Sequence, residues 1–362
     1  MNRLKGLLLA STLIASSAVS ASADVNVVAS IKPIHSLVAA VMEGVGEPGL
    51  IIEGAGSPHT YALKPSQALM LEQAELVFWI GHELEAFLEK PLETIGAKAR
   101  SVELIDAHDL VKLEFREGGA FDKHDHGEEA GHDHDHDHDK AAEAGHDHAH
   151  ESEHDHEETA EAGHDHDHEA GHDHEETAEA GHDHGHDHGE FDAHVWLDPV
   201  NAKAMVHEIE EALVEVDPGN ADKYEANAEA VTAKLDTMIA EVSTQLDPVK
   251  EKGFIVFHDG YQYFENRFDV TASGSITVSP EVMPGAERIT EIRAKVQELG
   301  ATCVFAEPQF EPKLVSTVIE GTGARAGTID PLGAELEDGP ELYFQLIRNM
   351  GTSISECLSN AG

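Results

Sequence analysis

Positive charge is scarce in this chain: 23 lysines and arginines stand against 71 aspartates and glutamates, giving a formal charge of −48 over 362 residues. Contacts to nucleic-acid phosphates need lysine and arginine, so a nucleic-acid partner is excluded. The same acidity favours a local excess of cations. Long apolar runs are also missing. The N-terminal run at residues 7–15 is too short for a bilayer, which takes about 20 residues, and no later segment reads as transmembrane. There is no His-Glu-x-x-His helix and no nucleophile elbow, which argues against a secreted zinc hydrolase. Cysteine is reduced to Cys303 and Cys357. In an oxidising compartment an isolated pair is most simply a disulfide, closing a loop of about 55 residues and contributing on the order of 2–4 kcal/mol. Two buried thiols or a metal pair are the alternatives.

The chain begins with the pattern of a secretory signal. Arg3 and Lys5 precede the apolar run, and Ala21-Ser22-Ala23 follows it as a small-residue cleavage site. This predicts a signal peptide over 1–23 and a mature chain starting at Asp24. No cysteine follows the run, so a lipid anchor is not expected, and the expected compartment is the bacterial periplasm.

Histidine is the residue present in excess. Twenty of the 27 histidines fall between His124 and His188, among aspartates and glutamates. The unit Glu-Ala-Gly-His-Asp-His recurs at Glu129, Glu143, Glu161, Glu169 and Glu179 with irregular spacing, which marks low complexity rather than a solenoid. From Asp122 to Asp192 there are 27 acidic residues and two lysines. So polar a segment cannot offset the entropy of ordering, and an insertion without fixed structure is expected over 122–192. Neutral imidazole is the commonest protein ligand for borderline divalent metals. In an extended segment, alternate residues of His-Asp-His point to one side, so neighbouring imidazoles can share an ion. His132, His134, His136, His138, His146, His148, His164, His166, His182 and His184 are the expected weak, quickly exchanging sites.

Around this insertion, apolar patterning alternates between strand and helix. Residues 25–30, 50–52 and 76–80 read as strands, and helices are expected over 34–42, from 65 onward and from 84 onward. After the insertion, Pro199 opens a helix carrying Val206, Ile209, Leu213 and Val214. Asp217-Pro218-Gly219-Asn220 then breaks the chain and offers an N-cap. Residues 221–246 contain neither glycine nor proline and keep a helical apolar stripe through Val231, Leu235, Met238, Ile239 and Val242. The second half repeats the alternation, with strands at 254–257, 304–306 and 326–329 and helices at 289–299, 313–319 and 342–358. Such alternation predicts parallel sheets covered on both faces. The expected organisation is an N-terminal α/β domain over 24–216 with its insertion, a linking helix over 221–246 and a C-terminal α/β domain over 250–362. Ligands of such sheets bind at the carboxyl ends of the strands.

Three histidines follow apolar runs in loop-like positions: His59 in Gly-Ser-Pro-His-Thr-Tyr, His194 in Asp-Ala-His-Val-Trp and His258 after Phe-Ile-Val-Phe. Three neutral imidazoles with one open position suit tetrahedral zinc. His35, His82, His108 and His207 lack comparable context and are expected to be structural or surface residues; His35, close to a strand end, comes nearest to the trio.

Several segments carry a family resemblance. They are Ser-Ile-Lys-Pro-Ile-His-Ser (30–36), Gly-Ser-Pro-His-Thr-Tyr-Ala-Leu-Lys-Pro-Ser (56–66) and His-Val-Trp-Leu-Asp-Pro (194–199), with Phe-His-Asp-Gly-Tyr-Gln-Tyr-Phe (257–264), Ala-Glu-Pro-Gln-Phe (306–310) and Asp-Pro-Leu-Gly (330–333). Together they closely resemble the periplasmic zinc-binding proteins of bacterial zinc-uptake ABC transporters, in the cluster A-I solute-binding family. The resemblance covers nearly all of the mature chain. It implies two Rossmann-like parallel-sheet domains joined by one long helix, with a zinc ion in the cleft between them. It implies His59, His194 and His258 as ligands and Asp330 as a candidate fourth ligand, at a position where manganese-binding relatives supply an aspartate. Those relatives carry a carboxylate where this chain has His258, and a histidine there favours zinc over manganese. The resemblance also implies a Cys303–Cys357 disulfide. Gln67 departs from the family pattern, which often shows Asp after Pro-Ser, and this bears on local capping there.

The expected function is zinc capture by a monomer and delivery to an inner-membrane ABC permease, without catalysis. Manganese transport and a secreted metal buffer or adhesin are the alternative readings.

Overall fold

The computed structural model describes residues 25–116, 121, 191–277, 280, 284–298, 300, 303–311 and 313–359. The expected signal peptide and the ten tract histidines lie outside the described residues. Phe191 and Asp192, which the sequence reading assigns to the insertion, are part of the folded body. Phe191 pairs with Glu114 in an isolated antiparallel bridge, and Asp192 is fully buried.

The chain forms two parallel four-stranded sheets. The first contains β1 (Val27–Ala29), β2 (Gly49–Leu50), β3 (Leu76–Trp79) and β4 (Arg100–Glu103), in the order β2-β1-β3-β4. The second contains β5 (Phe254–His258), β6 (Ala272–Thr277), β7 (Cys303–Ala306) and β8 (Arg325–Thr328), in the order β6-β5-β7-β8. The two sheets therefore share one winding, and in each the first strand of the half is internal. Such strands are covered on both faces, which is why β1 and β3 read as unbroken apolar runs.

The helices are α1 (Lys32–Val41), α2 (Pro65–Gln73), α3 (Ala86–Thr94), α4 (Pro199–Val216), α5 (Ala221–Leu246), α6 (Gln262–Phe268), α7 (Ala286–Glu298), α8 (Lys313–Ile319) and α9 (Leu342–Ser359). Pro199 takes the first turn of α4, and Asp198 Oδ1 accepts the Val200 amide at 2.8 Å, an N-cap with proline just inside the helix. In α5 the buried positions Tyr224, Ala228, Val231, Leu235, Met238, Val242 and Leu246 recur at three- and four-residue steps, and the helix is about 39 Å long. The expected cap at its start takes another form: the Asn220 side chain donates to Asp217 Oδ2, which also accepts the Tyr224 hydroxyl.

More than α5 joins the two halves. α1 is buried at all ten positions and packs against α4, α5 and α9. One hydrophobic core runs from β1 and β3 through these helices to Phe254, Val256 and Phe305 beneath the second sheet. Because β5 side chains alternate between faces, Ile255 and Phe257 instead join a smaller core with Ile292 and Val296 of α7 and Leu314, Val315 and Val318 of α8. Cys303 and Cys357 form a disulfide that ties β7 to α9. No helix among the described residues is long and apolar enough to cross a membrane.

Three elements were not legible in advance. β4 reads Arg-Ser-Val-Glu and buries only Val102 at its sheet edge. β6 reads Ala-Ser-Gly-Ser-Ile-Thr, with little β-branched content before its end. α6 is a seven-residue helix stopped at Asp269, whose φ of 57° is left-handed.

Candidate metal centre

His258 is the last residue of β5 and ends an internal strand at its carboxyl edge. His194 precedes the 3₁₀ turn Val195–Leu197 that leads into α4. His59 lies in the 3₁₀ turn Pro58–Thr60, between β2 and α2. That turn is anchored by Gln67 at the start of α2. Gln67 Oε1 accepts the Lys64 amide at 2.8 Å, and its Nε2 donates to Ile51 O at 2.5 Å and to the Tyr61 hydroxyl at 2.7 Å. The departure from the family pattern at Gln67 thus still closes a cap.

The three rings converge. His194 Nε2 lies 3.3 Å from His59 Nε2 and 3.2 Å from His258 Nε2. All three residues can offer ligand nitrogens within 4.8 Å of one another, and among the described residues they are the set that could hold a metal ion. Two nitrogens bound to tetrahedral zinc at 2.0–2.1 Å stand about 3.3 Å apart, so these separations already match edges of such a tetrahedron. Among the lining side chains the centre of a water-sized sphere can range over about 10 Å³, room for about one such particle beside the rings. That fits a single ion.

Two buried carboxylates orient the rings. Asp192 Oδ1 lies 2.7 Å from His194 Nδ1, and Glu307 Oε1 lies 2.6 Å from His258 Nδ1. A carboxylate accepts hydrogen bonds, so each Nδ1 carries the hydrogen, and each neutral ring turns its Nε2 lone pair toward the centre. Burial alone would lower the pKa of His258, but the Glu307 carboxylate outweighs it and lifts the imidazole above its ordinary value. Burial alone would raise the Asp192 carboxyl, but the charge and hydrogen bonds of His194 hold it below the ordinary aspartate range. Sequence reasoning did not single out Asp192 or Glu307. Each lies inside a segment already noted, Asp192 two residues before His194 and Glu307 directly after β7.

Asp330 does not join the trio. Its Oδ1 accepts the amides of Leu332 and Gly333 and the Gln309 side chain, and its Oδ2 accepts the Ala334 amide at 2.6 Å. His35 is buried, with Nε2 3.0 Å from Pro48 O, and burial lowers its pKa. His82 and His207 stand near surface glutamates, and His108 is exposed.

Residues 27–357 match the family described as zinc-uptake complex component A, periplasmic. The chain belongs to this family. A high-affinity zinc uptake system protein of Brucella suis biovar 1 (strain 1330) is 55% identical over 361 residues, covering 99% of this chain and all of that protein. The protein of the same description from Yersinia pestis is 35% identical over 338 residues, covering 93% of this chain and 92% of its own length. Among solved structures, one titled crystal structure of ZnuA has a TM-score of 0.66 at 21% identity, covering 92% of this chain and 99% of that one. The periplasmic zinc binding protein TroA of Treponema pallidum has a TM-score of 0.66 at 16% identity, covering 93% and 99%. Both share the two-sheet fold. As a zinc-uptake component of this family, the chain works in the periplasm, takes zinc as its cargo and serves a membrane transport complex.

Proposed function

We propose that this zinc-uptake component binds its cargo through the Nε2 atoms of His59, His194 and His258 and presents it to an ABC permease. The observation that carries this reading is the convergence of three imidazoles, with His194 Nε2 at 3.2 and 3.3 Å from the other two and two of the rings fixed by buried carboxylates. An all-nitrogen set favours zinc over manganese, whose preferred donors are oxygens. The fourth position goes to water rather than to Asp330. Four donors already occupy the Asp330 carboxylate, and Gln309, which lines the cleft and whose amide nitrogen serves Asp330, has a buried Oε1 without a partner among the described residues. A zinc-bound water is the donor that would satisfy that oxygen.

Capture without catalysis is the favoured reading, because the two carboxylates nearest the ion are committed to imidazole N–H groups and are not placed as bases. All three ligands come from one chain, which supports a monomer. The lobes correspond to residues 24–216 and 250–362, with 221–246 between them. The shared core opposes large lobe rotation, so release comes from local ligand movement when the permease docks. The tract histidines add weak sites, and deleting residues 124–188 lowers the zinc stoichiometry without abolishing the tight site.

Calorimetric zinc titration of His59→Ala, His194→Ala and His258→Ala tests the assignment. Each variant loses high-affinity binding; full affinity in all three would overturn it.

A further inference from the structure

A strap crosses between the two halves beside the metal centre. Val111 exchanges hydrogen bonds with the Asn201 side chain on α4, Asn201 Oδ1 accepting its amide at 2.8 Å and Nδ2 donating to its carbonyl at 2.9 Å. Two residues on, the Leu113 amide donates to the Tyr263 hydroxyl of α6 at 3.0 Å, and the Glu114 carbonyl accepts Gln262 Nε2 at 2.9 Å. The strap ends in Arg116, whose guanidinium reaches two carboxylates of the second half. Nε donates to Asp259 Oδ2 at 3.3 Å and Nη2 to Asp259 Oδ1, while Nη1 and Nη2 donate to Glu265 Oε2 and Oε1 at 2.8 and 3.0 Å. Both carboxylates are buried, so the planar fork of arginine meets two desolvated anions in fixed geometry.

The strap touches the support of each buried ligand. Asp259 follows His258 directly. Glu265 also accepts the Ala272 amide at 2.8 Å, linking α6 to β6, the strand paired with β5. On the other side, the Leu113 carbonyl accepts the amide of Asp192 at 2.9 Å, and Asp192 is the carboxylate that orients His194. Leu113 therefore holds the backing of one ligand and Arg116 the neighbour of the other, three residues apart.

We propose that Arg116 is a positioning residue for zinc retention: by clamping Asp259 and Glu265 it holds the His258 corner in register with His194, and it sets how slowly zinc leaves. The proposal rests on the three-histidine site and goes beyond it, because Arg116 is not a ligand. Removing the guanidinium alone strands two buried carboxylates without a cation and endangers folding. Two variants avoid this. Arg116→Lys keeps the charge and loses the fork. The triple variant Arg116→Met, Asp259→Asn, Glu265→Gln removes all three charges together.

The experiment measures zinc dissociation from the full chain by rapid mixing with excess chelator, together with the melting temperature of the metal-free protein. A disulfide-free Cys303→Ser, Cys357→Ser variant serves as the control for general destabilisation. Dissociation at least about tenfold faster in both Arg116 variants, the scale typical of outer-shell partners, and faster than in the control at equal loss of melting temperature, is the expected result. Unchanged dissociation, or acceleration that merely tracks melting temperature as in the control, would overturn it. A zinc titration of His258→Ala run alongside keeps the two readings apart. If that variant loses the tight site while the Arg116 variants release zinc at the parent rate, only the role of Arg116 fails.

Discussion

His258 and His59 face the same centre from opposite kinds of ground. His258 ends an internal strand, is 4% exposed and has Glu307 behind it. His59 sits on a single 3₁₀ turn between elements and is only partly buried. Sheet-borne groups are held more precisely than loop-borne ones. One side of the site is therefore preset, and the other can yield. The lesson concerns exchange: under the proposed release by local ligand movement, the turn at Pro58–Thr60, which carries the least buried of the three ligands, is where movement starts.

The largest test of this contrast removes the ligands in turn. Zinc held by four donors binds with about 10–16 kcal/mol, so each nitrogen carries about 3–4 kcal/mol, on the order of a 10²–10³-fold change in affinity. His258→Ala falls at the upper end, because it removes the ligand held most rigidly, at the end of an internal strand. His59→Ala falls at the lower end. Competition against a fluorescent chelator reads both, and equal losses would break the contrast. Next come the supports: Glu307→Gln and Asp192→Asn each weaken zinc binding by about 10–100-fold while keeping one zinc per tight site.

Proton competition gives a smaller effect with a definite sign. Zinc needs neutral His258, whose pKa lies above its ordinary 6.5 in the metal-free protein, so affinity rises as pH climbs through that raised value. The stability of the metal-free protein moves the other way. A raised imidazole pKa contributes stability below the unfolded value, and this is lost as pH rises through the folded one. Asp192, held below its ordinary 3.8, contributes above that value and loses its contribution as pH falls through the lowered one. Parallel zinc titrations and metal-free melts from pH 5 to pH 8, a window of about three units around histidine titration, check the opposition; curves that rise together would contradict it. The smallest effect on zinc comes from the disulfide. Cys303→Ser with Cys357→Ser lowers stability by about 2–4 kcal/mol, yet it ties β7 to α9 away from the trio. Zinc affinity stays within about twofold, well under one tenfold step.

Much of this was legible in the chain. The buried strands β1, β3 and β5 announced themselves as apolar runs, and α5 by its stripe from Val231 to Val242, which the structure extends to Tyr224 and Leu246. The three histidines stood out because each closes an apolar run at a strand end or loop. Edge strands β4 and β6 were not legible: β4 buries only Val102, and β6, although mostly buried, opens on Ala-Ser-Gly-Ser, small residues that form no apolar run. The core shared by α1, α4, α5 and α9 was hidden for another reason: the stripe shows that a helix buries a face, and not against what. Asp192 and Glu307 lay inside segments already noted, yet in an acid-rich sequence it takes their burial to set them apart from the other carboxylates. Gln67 shows the converse, since its amide replaces the capping aspartate and also pins Ile51 and Tyr61 beside the His59 turn.

The small void among the three imidazoles has a consequence for ions in solution. The space beside the rings takes about one water-sized particle, so an ion seated on all three nitrogens has exchanged most of its water shell for imidazole. Magnesium parts with that shell reluctantly and wants six oxygens. The cost of undressing adds to its preference for oxygen in turning it away.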